Sequence, residues 1–202
     1  YKNRPNPEKD LVVSVPSGNF GNLCAGIMAQ KMGLPIKHFI ASTNVNDTVP
    51  SYLSTGNYEP KKSISTLSNA MDVGDPSNFI RIQKLFNNDF HKLKKLVSGF
   101  AYTDSQTKKA LKEIYKTSNY IADPHGAVSY LGLKDFLNSQ EKDTHYGIFF
   151  ETAHPIKFAP TVESTLKLEI DPPKQVESLL NKPKLSLPIN DYKALKDFFL
   201  AR

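Results

Sequence analysis

One stretch, residues 11–26, constrains the fold of this chain more than any other. It begins with the apolar run LVVSV, turns after Pro16 through small and polar residues, and continues into an Ala-, Leu- and Met-rich segment that reaches Met32. This order predicts a strand, a glycine turn and a helix. Such a turn directs several backbone N–H groups and the positive end of a helix dipole to one place, so it favours binding of a phosphate group.

The turn itself reads SGNFGN, and its glycines at 18 and 21 allow the backbone to approach an anion closely. It has neither the GxGxxG spacing of dinucleotide-binding turns nor the lysine of the GxxxxGK[ST] loop. We therefore expect a small phosphorylated ligand or cofactor rather than NAD or ATP. An ordinary turn between a strand and a helix, with glycines needed only for steric reasons, explains these residues equally well.

The remaining pattern predicts an α/β fold with an open, mainly parallel sheet and flanking helices. Residues 35–42 predict a second strand, which completes a βαβ unit with a parallel strand pair. Further strands are expected at 99–103, 120–122 and 146–151, and helices at 49–53, 79–96 (broken near Asn87 and Asn88), 104–118 and 127–137. Proline residues interrupt the pattern after 170. We therefore expect one α/β domain over residues 1–170 and a short helical tail over 171–202, which packs on the domain or reaches a partner subunit.

Polar residues follow two of the predicted strands, at the edge where open α/β sheets bind ligands. The strand at 146–151 is followed by Thr152 and His154. These residues are expected at the same edge of the sheet as the glycine turn, and this convergence predicts a pocket there. Asp47 or Asn46 is more simply explained as a helix N-cap. His125, at the start of a helix, is more simply explained as a capping or packing residue, although it lies where it could touch a ligand.

Composition excludes several classes of function. No apolar run approaches the length of a membrane span, and the net charge of +6 comes from scattered lysines with helical periodicity, so we expect neither membrane nor nucleic-acid binding. The single cysteine, Cys24, excludes a disulfide framework and indicates a cytoplasmic protein. The five histidines lack metal-ligand spacing, so no metal site is expected. Ser17 precedes its glycine and does not form a GxSxG elbow.

Four longer segments resemble threonine synthase, a pyridoxal-phosphate (PLP) enzyme family of the tryptophan-synthase-β fold type. They are VPSGNFGNLCAG (15–26), FIASTNVNDTVP (39–50), TLSNAMDVGDPSN (66–78) and TAHPIKF (152–158), in the order of the family. The resemblance implies a PLP fold type II domain, here incomplete. It also implies PLP as cofactor and O-phosphohomoserine as substrate, which loses phosphate by γ-elimination and gains water by β-addition to give threonine.

The resemblance also assigns roles to residues of this chain. The cofactor phosphate is expected in the glycine turn, which comprises Ser17, Gly18, Asn19, Phe20, Gly21 and Asn22. The hydroxyl of Thr152 is expected to meet the pyridine nitrogen, and a neutral partner leaves that nitrogen largely unprotonated. Structural support or contact with the substrate is expected from Asn46, Asp47, Thr48, Ser68 and Asn69, and a place in the wall of the pocket from His154.

The chain departs from the family pattern in one important respect. PLP chemistry needs a lysine that forms a Schiff base and moves protons, and in the family this lysine precedes the glycine turn in a segment resembling F-K-D. Only Lys2 and Lys9 precede the turn here, in other contexts, and Lys157 within TAHPIKF is not the Schiff-base residue. The resemblance therefore predicts that the catalytic lysine lies outside this chain.

We expect the chain to correspond to the carboxyl-terminal half of the enzyme, inactive without the amino-terminal half, and the tyrosine at its first position agrees with this expectation. The alternative is a separate module that binds PLP phosphate, or another phosphorylated ligand, without catalysis. The sequence favours no particular oligomeric state.

Overall fold

The computed structural model describes residues 5–180, 182–183 and 185–201. The chain divides into two compact units, Tyr1–Ile170 and Asp171–Arg202. The described part of the first unit contains a parallel sheet in the order β3-β2-β1-β4. Its strands are β1 (Asp10–Pro16), β2 (His38–Thr43), β3 (Val97–Ala101) and β4 (His145–Phe149). The predicted α/β class with an open parallel sheet is confirmed.

Helices cover the sheet on both faces. They are α1 (Gly21–Lys31), α2 (Thr48–Thr55), α3 (Phe79–Leu85), α4 (Phe90–Leu96), α5 (Asp104–Ser118), α6 (Pro124–Asn138) and α7 (Ala159–Leu166), with short 3₁₀ turns at Asn69–Met71 and Pro155–Phe158. Strand β1 is buried along Leu11 to Pro16, as expected for a parallel strand covered on both sides. Successive side chains of β1 pack in two different cores, because neighbouring residues of a strand point to opposite faces of the sheet.

The larger core lies on the face that carries α1. Val13 and Val15 of β1 pack there in one cluster with Leu23 and Ile27 of α1 and with Ile82 of α3. On the other face, Val12 and Ile40 form a cluster with Leu133 and Phe136 of α6. The two cores pack on opposite faces of β1, which lies at the centre of the sheet. The turn after β1 therefore lies at the middle of the carboxyl edge of the sheet.

Two sequence expectations about secondary structure have opposite outcomes. The predicted break in the helical pattern of residues 79–96 is confirmed, because Asn87 and Asn88 adopt positive φ angles of 54° and 59° between α3 and α4. The strand predicted at 120–122 is wrong. That short connection runs from the end of α5 directly to the N-cap of α6, and Ala122 packs in the cluster between these helices instead of pairing with a strand.

The second unit is helical in its described part, with α8 (Lys174–Leu180) and α9 (Tyr192–Leu200). Asp191 is the N-cap residue of α9, and its carboxylate accepts a hydrogen bond from the N–H of Ala194. Its apolar side chains Tyr192, Phe199 and Leu200 are exposed. Among the residues described in both units, no helix has the length and hydropathy required to cross a bilayer.

Candidate functional site

A cavity of about 320 Å³ lies at the carboxyl edge of the sheet, where β1 and β4 end. Segments distant in sequence form its walls: the turn after β1, the 3₁₀ turn at Asn69–Met71, the first turn of α6 and the chain after β4. The lining residues are Pro16, Gly18, Asn19, Phe20, Gly21, Asn22, Ala70, Met71, Asn78, His125, Thr152, Ala153 and Lys157. The volume lies at the lower end of the range usual for small-molecule sites.

The amino-terminal end of α1 forms one wall of this cavity. Phe20 is the N-cap residue, and its side chain makes no capping hydrogen bond. The first helical bond runs from the N–H of Cys24 to the carbonyl of Phe20 at 3.0 Å. The N–H groups of the residues between them therefore lack helical acceptors, as at every uncapped helix start. These free donors and the helix dipole give the wall a positive potential.

Phe20 adopts a left-handed backbone conformation, with φ of 62°, that is uncommon for a residue with a side chain. Its buried ring packs edge-on against Phe79 with centroids 5.7 Å apart. Aromatic packing of this kind stabilises the strained turn. Backbone strain held in place by the core is frequent at ligand sites.

Gly18 allows the turn to contact the 3₁₀ turn at Asn69–Met71. A Cβ atom on Gly18 would lie 2.7 Å from both the carbonyl oxygen of Ala70 and the Cα of Met71. Both of those atoms belong to the backbone, so a larger residue would push the two segments apart. Asn19 adds a second link, because its Oδ1 accepts hydrogen bonds from the backbone N–H and the hydroxyl of Ser77 at 2.6 and 3.0 Å.

Ser17 supports the turn from below and does not line the cavity. Its side chain is buried, and its hydroxyl donates a hydrogen bond to the carbonyl of Val15 at 2.9 Å. Its backbone N–H donates to the carbonyl of Ser42 at 2.8 Å. The structure therefore places five of the six predicted phosphate-loop residues in the cavity wall and the sixth behind it.

The segment after β4 brings Thr152 and Lys157 to the same cavity. Both side chains are exposed. Thr152 was predicted from sequence, whereas Lys157 was noted only as a residue of the family pattern. His154 lies outside the lining, and its Nδ1 accepts a hydrogen bond from the N–H of Ile156 at 3.1 Å. It therefore caps the following 3₁₀ turn.

The other five predicted substrate residues also lie outside the lining. Asn46, Thr48 and Ser68 are buried, and each makes hydrogen bonds within the protein. Asp47 contacts Lys61 and Ser51, both at 2.8 Å. Burial alone would raise the pKa of Asp47, but these two hydrogen bonds outweigh burial and lower it. Asn69 is exposed at the start of its 3₁₀ turn. This placement agrees with structural support, and contact with a substrate stays a prediction.

Asn44 is at the centre of this support, and the sequence did not single it out. Its side-chain N–H groups donate to Asp72 Oδ1 at 2.8 Å and to the hydroxyl of Thr66 at 2.9 Å. Its Oδ1 accepts from the side chain of Asn46 at 2.8 Å. Asn44 thereby fixes residues 64–72 to the end of β2, and these residues carry Ala70 and Met71 to the cavity.

A buried set of titratable groups lies behind the His125 wall of the cavity. Asp123, fully buried, accepts hydrogen bonds at one oxygen from the backbone N–H and the Nδ1 of His125, at 2.7 and 2.8 Å. The backbone N–H of Asp123 donates to Glu151 at 3.3 Å. Burial raises the pKa of Glu151 to about 9, helped by the hydrogen bond to Asp123 and by the negative charge of that residue. Sequence reasoning missed this set, because Glu151 is 28 residues from Asp123.

Comparisons with known proteins identify the family. The family model described as threonine synthase, C-terminal, matches residues 127–199. The threonine synthase of Buchnera aphidicola from Acyrthosiphon pisum is 46% identical over 195 residues, which cover 96% of this chain and 44% of that protein. The threonine synthase of Escherichia coli is 46% identical over 192 residues, covering 94% and 43%. The chain corresponds in sequence to the carboxyl-terminal part of threonine synthases. It spans less than half the length of these curated relatives.

Solved structures of the same family agree with the fold. Threonine synthase from Escherichia coli superposes with a TM-score of 0.88 at 42% identity, over 99% of this chain and 46% of that one. A threonine synthase from Brucella melitensis, solved with PLP bound, gives a TM-score of 0.81 at 26% identity over 96% of this chain and 46% of that one. A serine racemase from Dictyostelium discoideum, at 19% identity and a TM-score of 0.52, shares the fold alone. The predicted PLP fold type II class is confirmed by these likenesses.

Proposed function

We propose that this chain carries the side of a threonine synthase active site that holds the phosphate and ring nitrogen of PLP. The complete enzyme would convert O-phosphohomoserine and water into threonine and phosphate. The observation that carries the proposal is the uncapped amino-terminal end of α1, which forms the cavity wall together with Gly18 and Thr152 in a chain of this family. PLP, when bound, supplies an electron sink for the chemistry at the substrate carbons.

The donor set of the cavity fits a phosphate group. The backbone N–H groups at the start of α1 are unpaired within the helix, and Gly21 leaves room for close approach, since a Cβ there would meet only the side-chain nitrogen of Asn78 at 3.5 Å. Lys157 adds a cation at the same cavity. Backbone donors, a helix dipole and an ammonium group together favour a dianion.

Thr152 is the proposed partner of the pyridine nitrogen. A hydroxyl is neutral, and it can donate a hydrogen bond to an unprotonated ring nitrogen. No carboxylate belongs to the described lining of the cavity, and the nearby Glu151 is held neutral by its raised pKa. The surroundings of the ring therefore favour the unprotonated nitrogen.

The lysine that carries the cofactor is proposed to lie outside these 202 residues. Lys157 is the lysine that lines the cavity in the described part of the chain, and it follows β4 within the TAHPIKF segment rather than preceding the glycine turn. The chain alone would therefore bind the phosphate of the cofactor but release no phosphate from the substrate.

The test compares phosphate release and threonine formation from O-phosphohomoserine, with added PLP, for this chain and for a longer protein that includes it. We expect both products from the longer protein and neither from the chain alone. If the longer protein binds PLP but forms neither product, the synthase assignment is wrong and the alternative, a phosphate-binding module, is supported.

A pair of variants of the longer protein tests the role of Thr152. Thr152→Val keeps the shape of the side chain and removes the hydroxyl, so we expect the rate to fall about tenfold or more. Thr152→Ser keeps the hydroxyl and should retain most of the rate. Equal rates in the two variants would contradict the proposed contact with the ring nitrogen.

A further inference from the structure

His125 is a buried residue of the cavity wall that the proposed function does not use. Its Nδ1 lies 2.8 Å from Asp123, and its ring packs edge-on against Phe158 with centroids 4.9 Å apart. Its Nε2 is also buried, and it has no hydrogen-bond partner in the described part of the chain. Buried polar atoms are rarely left unpaired, so this atom requires a partner that the described residues do not supply.

Two oxygens behind His125 are unpaired in the same way. They are Oδ2 of Asp123 and Oε1 of Glu151, both buried and without a donor in the part of the chain that the structure describes. A proton on the Glu151 carboxyl makes it a donor to Asp123, so one proton pairs two groups that otherwise repel each other. Burial would raise the pKa of Asp123, but the hydrogen bonds from His125 and Glu151 keep it low.

Asp123 therefore carries the negative charge of the set, and Glu151 is neutral. An ionised Asp123 holds the proton of His125 on Nδ1 and leaves Nε2 for another partner. With a neutral imidazole, the set has a charge of −1 beside a cavity built for an anion. With an imidazolium its charge is zero, and Nε2 becomes a charged donor.

We propose that Nε2 of His125 donates a hydrogen bond to an oxyanion of the ligand, that Asp123 and Glu151 position the ring, and that the imidazole takes up one proton when the anion binds. The proton comes from solvent and forms the Nε2–H bond. This inference rests on the proposed function, because it needs a phosphorylated ligand in the cavity. The oxyanion belongs either to the cofactor or to a second phosphorylated ligand.

Other titratable groups near the set do not supply this donor. Burial, together with the nearby carboxyl groups of Glu151 and Asp123, raises the pKa of Tyr120, so Tyr120 stays neutral. Lys157 lines the cavity in the wild type and in a His125 variant alike, so it does not contribute to a difference between them. A difference in proton uptake between the two proteins is therefore a signature of His125.

The experiment uses the longer protein, freed of cofactor, and pyridoxine 5′-phosphate at pH 8. This probe has no aldehyde to react with a lysine, and its phosphate is already a dianion. Calorimetric titration in two buffers with different heats of ionisation counts the protons exchanged per ligand bound. We expect uptake of about one proton by the wild type and of about zero by His125→Asn, with affinity about tenfold weaker in the variant.

A second stage distinguishes the source of the oxyanion. Sulfate, which does not titrate at this pH, is added to the protein already saturated with pyridoxine 5′-phosphate. Proton uptake in the first stage assigns His125 to the cofactor phosphate, and uptake in the second stage alone assigns it to the second oxyanion. Either result supports the proposal.

Glu151→Gln tests the positioning part, because its amide still donates to Asp123. It should keep the proton uptake, whereas Glu151→Ala should reduce it by about half or more. If His125→Asn fails to fold, nitrogen NMR of labelled histidine in the wild type shows directly whether the imidazole of His125 gains a proton when the ligand binds. We expect a proton on Nδ1 alone in the free protein and on both nitrogens in the complex.

Binding of both ligands without proton uptake in either stage, or with equal uptake in wild type and His125→Asn, would overturn this inference and leave the proposed function standing. An imidazole that stays neutral in the complex by NMR would do the same. Failure of the wild type to bind pyridoxine 5′-phosphate would overturn the proposed function and this inference together.

Discussion

Gly126 lies directly against the buried carboxyl group of Glu151, and a Cβ atom at this position would overlap that carboxyl group. Gly126→Ala should therefore destabilise the protein by about 2 kcal/mol or more, because neither the backbone of α6 nor the paired carboxyl groups can move freely. Urea denaturation measures the loss. In the double variant Gly126→Ala/Glu151→Ala the alanine has room, so its added cost should be much smaller. An equal cost in both backgrounds would contradict this packing.

Glu151 also gives the stability of the fold a distinctive pH dependence. Its pKa of about 9 in the folded chain compares with 4.5 for an ordinary glutamate. Between these values the folded state binds more protons than the unfolded state, so the contribution of Glu151 to the free energy of unfolding falls as the pH rises. The pKa of Asp123 is lowered, so its contribution to the free energy of unfolding changes only below pH 3.8. That pH range does not overlap with the range in which the contribution of Glu151 changes.

Glu151→Gln cannot titrate, and it should remove this decline. We expect the difference in free energy of unfolding between pH 5 and pH 8 to shrink by at least ~1 kcal/mol in the variant. Urea denaturation at both pH values measures the difference for wild type and variant. Identical pH dependence in the two proteins would mean that Glu151 is ionised in the folded state.

At the scale of elements, the irregular segment between α2 and α3 depends on Asn44 at the end of β2. Asn44→Ala would remove hydrogen bonds from several partners, among them half-buried Asp72 and buried Asn46, at a cost of about 2–4 kcal/mol. Because that segment carries Ala70 and Met71, affinity for pyridoxine 5′-phosphate should also fall. Asn57→Ala, at an exposed residue of the same segment, is the matched control and should change stability by less than ~0.5 kcal/mol. Similar effects of the two variants would contradict this role of Asn44.

The elements that the sequence predicted well have local signals. The apolar run of β1, the glycine turn and the break at Asn87 and Asn88 each follow from residues close together in the chain. The strand predicted at 120–122 was wrong because three apolar residues beside a helix end look the same whether they join a sheet or a helix pair. Ala122 joins the cluster between α5 and α6.

Part of the candidate site was also predictable. Parallel strands end at one edge, so the turn after β1 and Thr152 after β4 were expected together, and the structure places both at one cavity. Asn78 was not predicted as a lining residue, because the path of residues 61–78 depends on hydrogen bonds to Asn44, which have no local signal. Pairing of Glu151 with Asp123 is likewise a product of the tertiary fold.

At the scale of the whole molecule, the cavity belongs to one unit. All its described lining residues lie within Tyr1–Ile170, and none within Asp171–Arg202. Removal of residues 171–202 from the longer protein should therefore change the affinity for pyridoxine 5′-phosphate by less than about threefold. Calorimetric titration checks this value. A loss of tenfold or more would show that the tail contributes to the site.

A crystal structure of the longer protein with PLP bound is the most direct test of the proposed cofactor site. We predict that the phosphate oxygens accept hydrogen bonds from backbone N–H groups of the turn at residues 18–22, and that the ring nitrogen lies within hydrogen-bond distance of the Thr152 hydroxyl. A phosphate outside this cavity, or a ring nitrogen that contacts a carboxylate instead of Thr152, would contradict it.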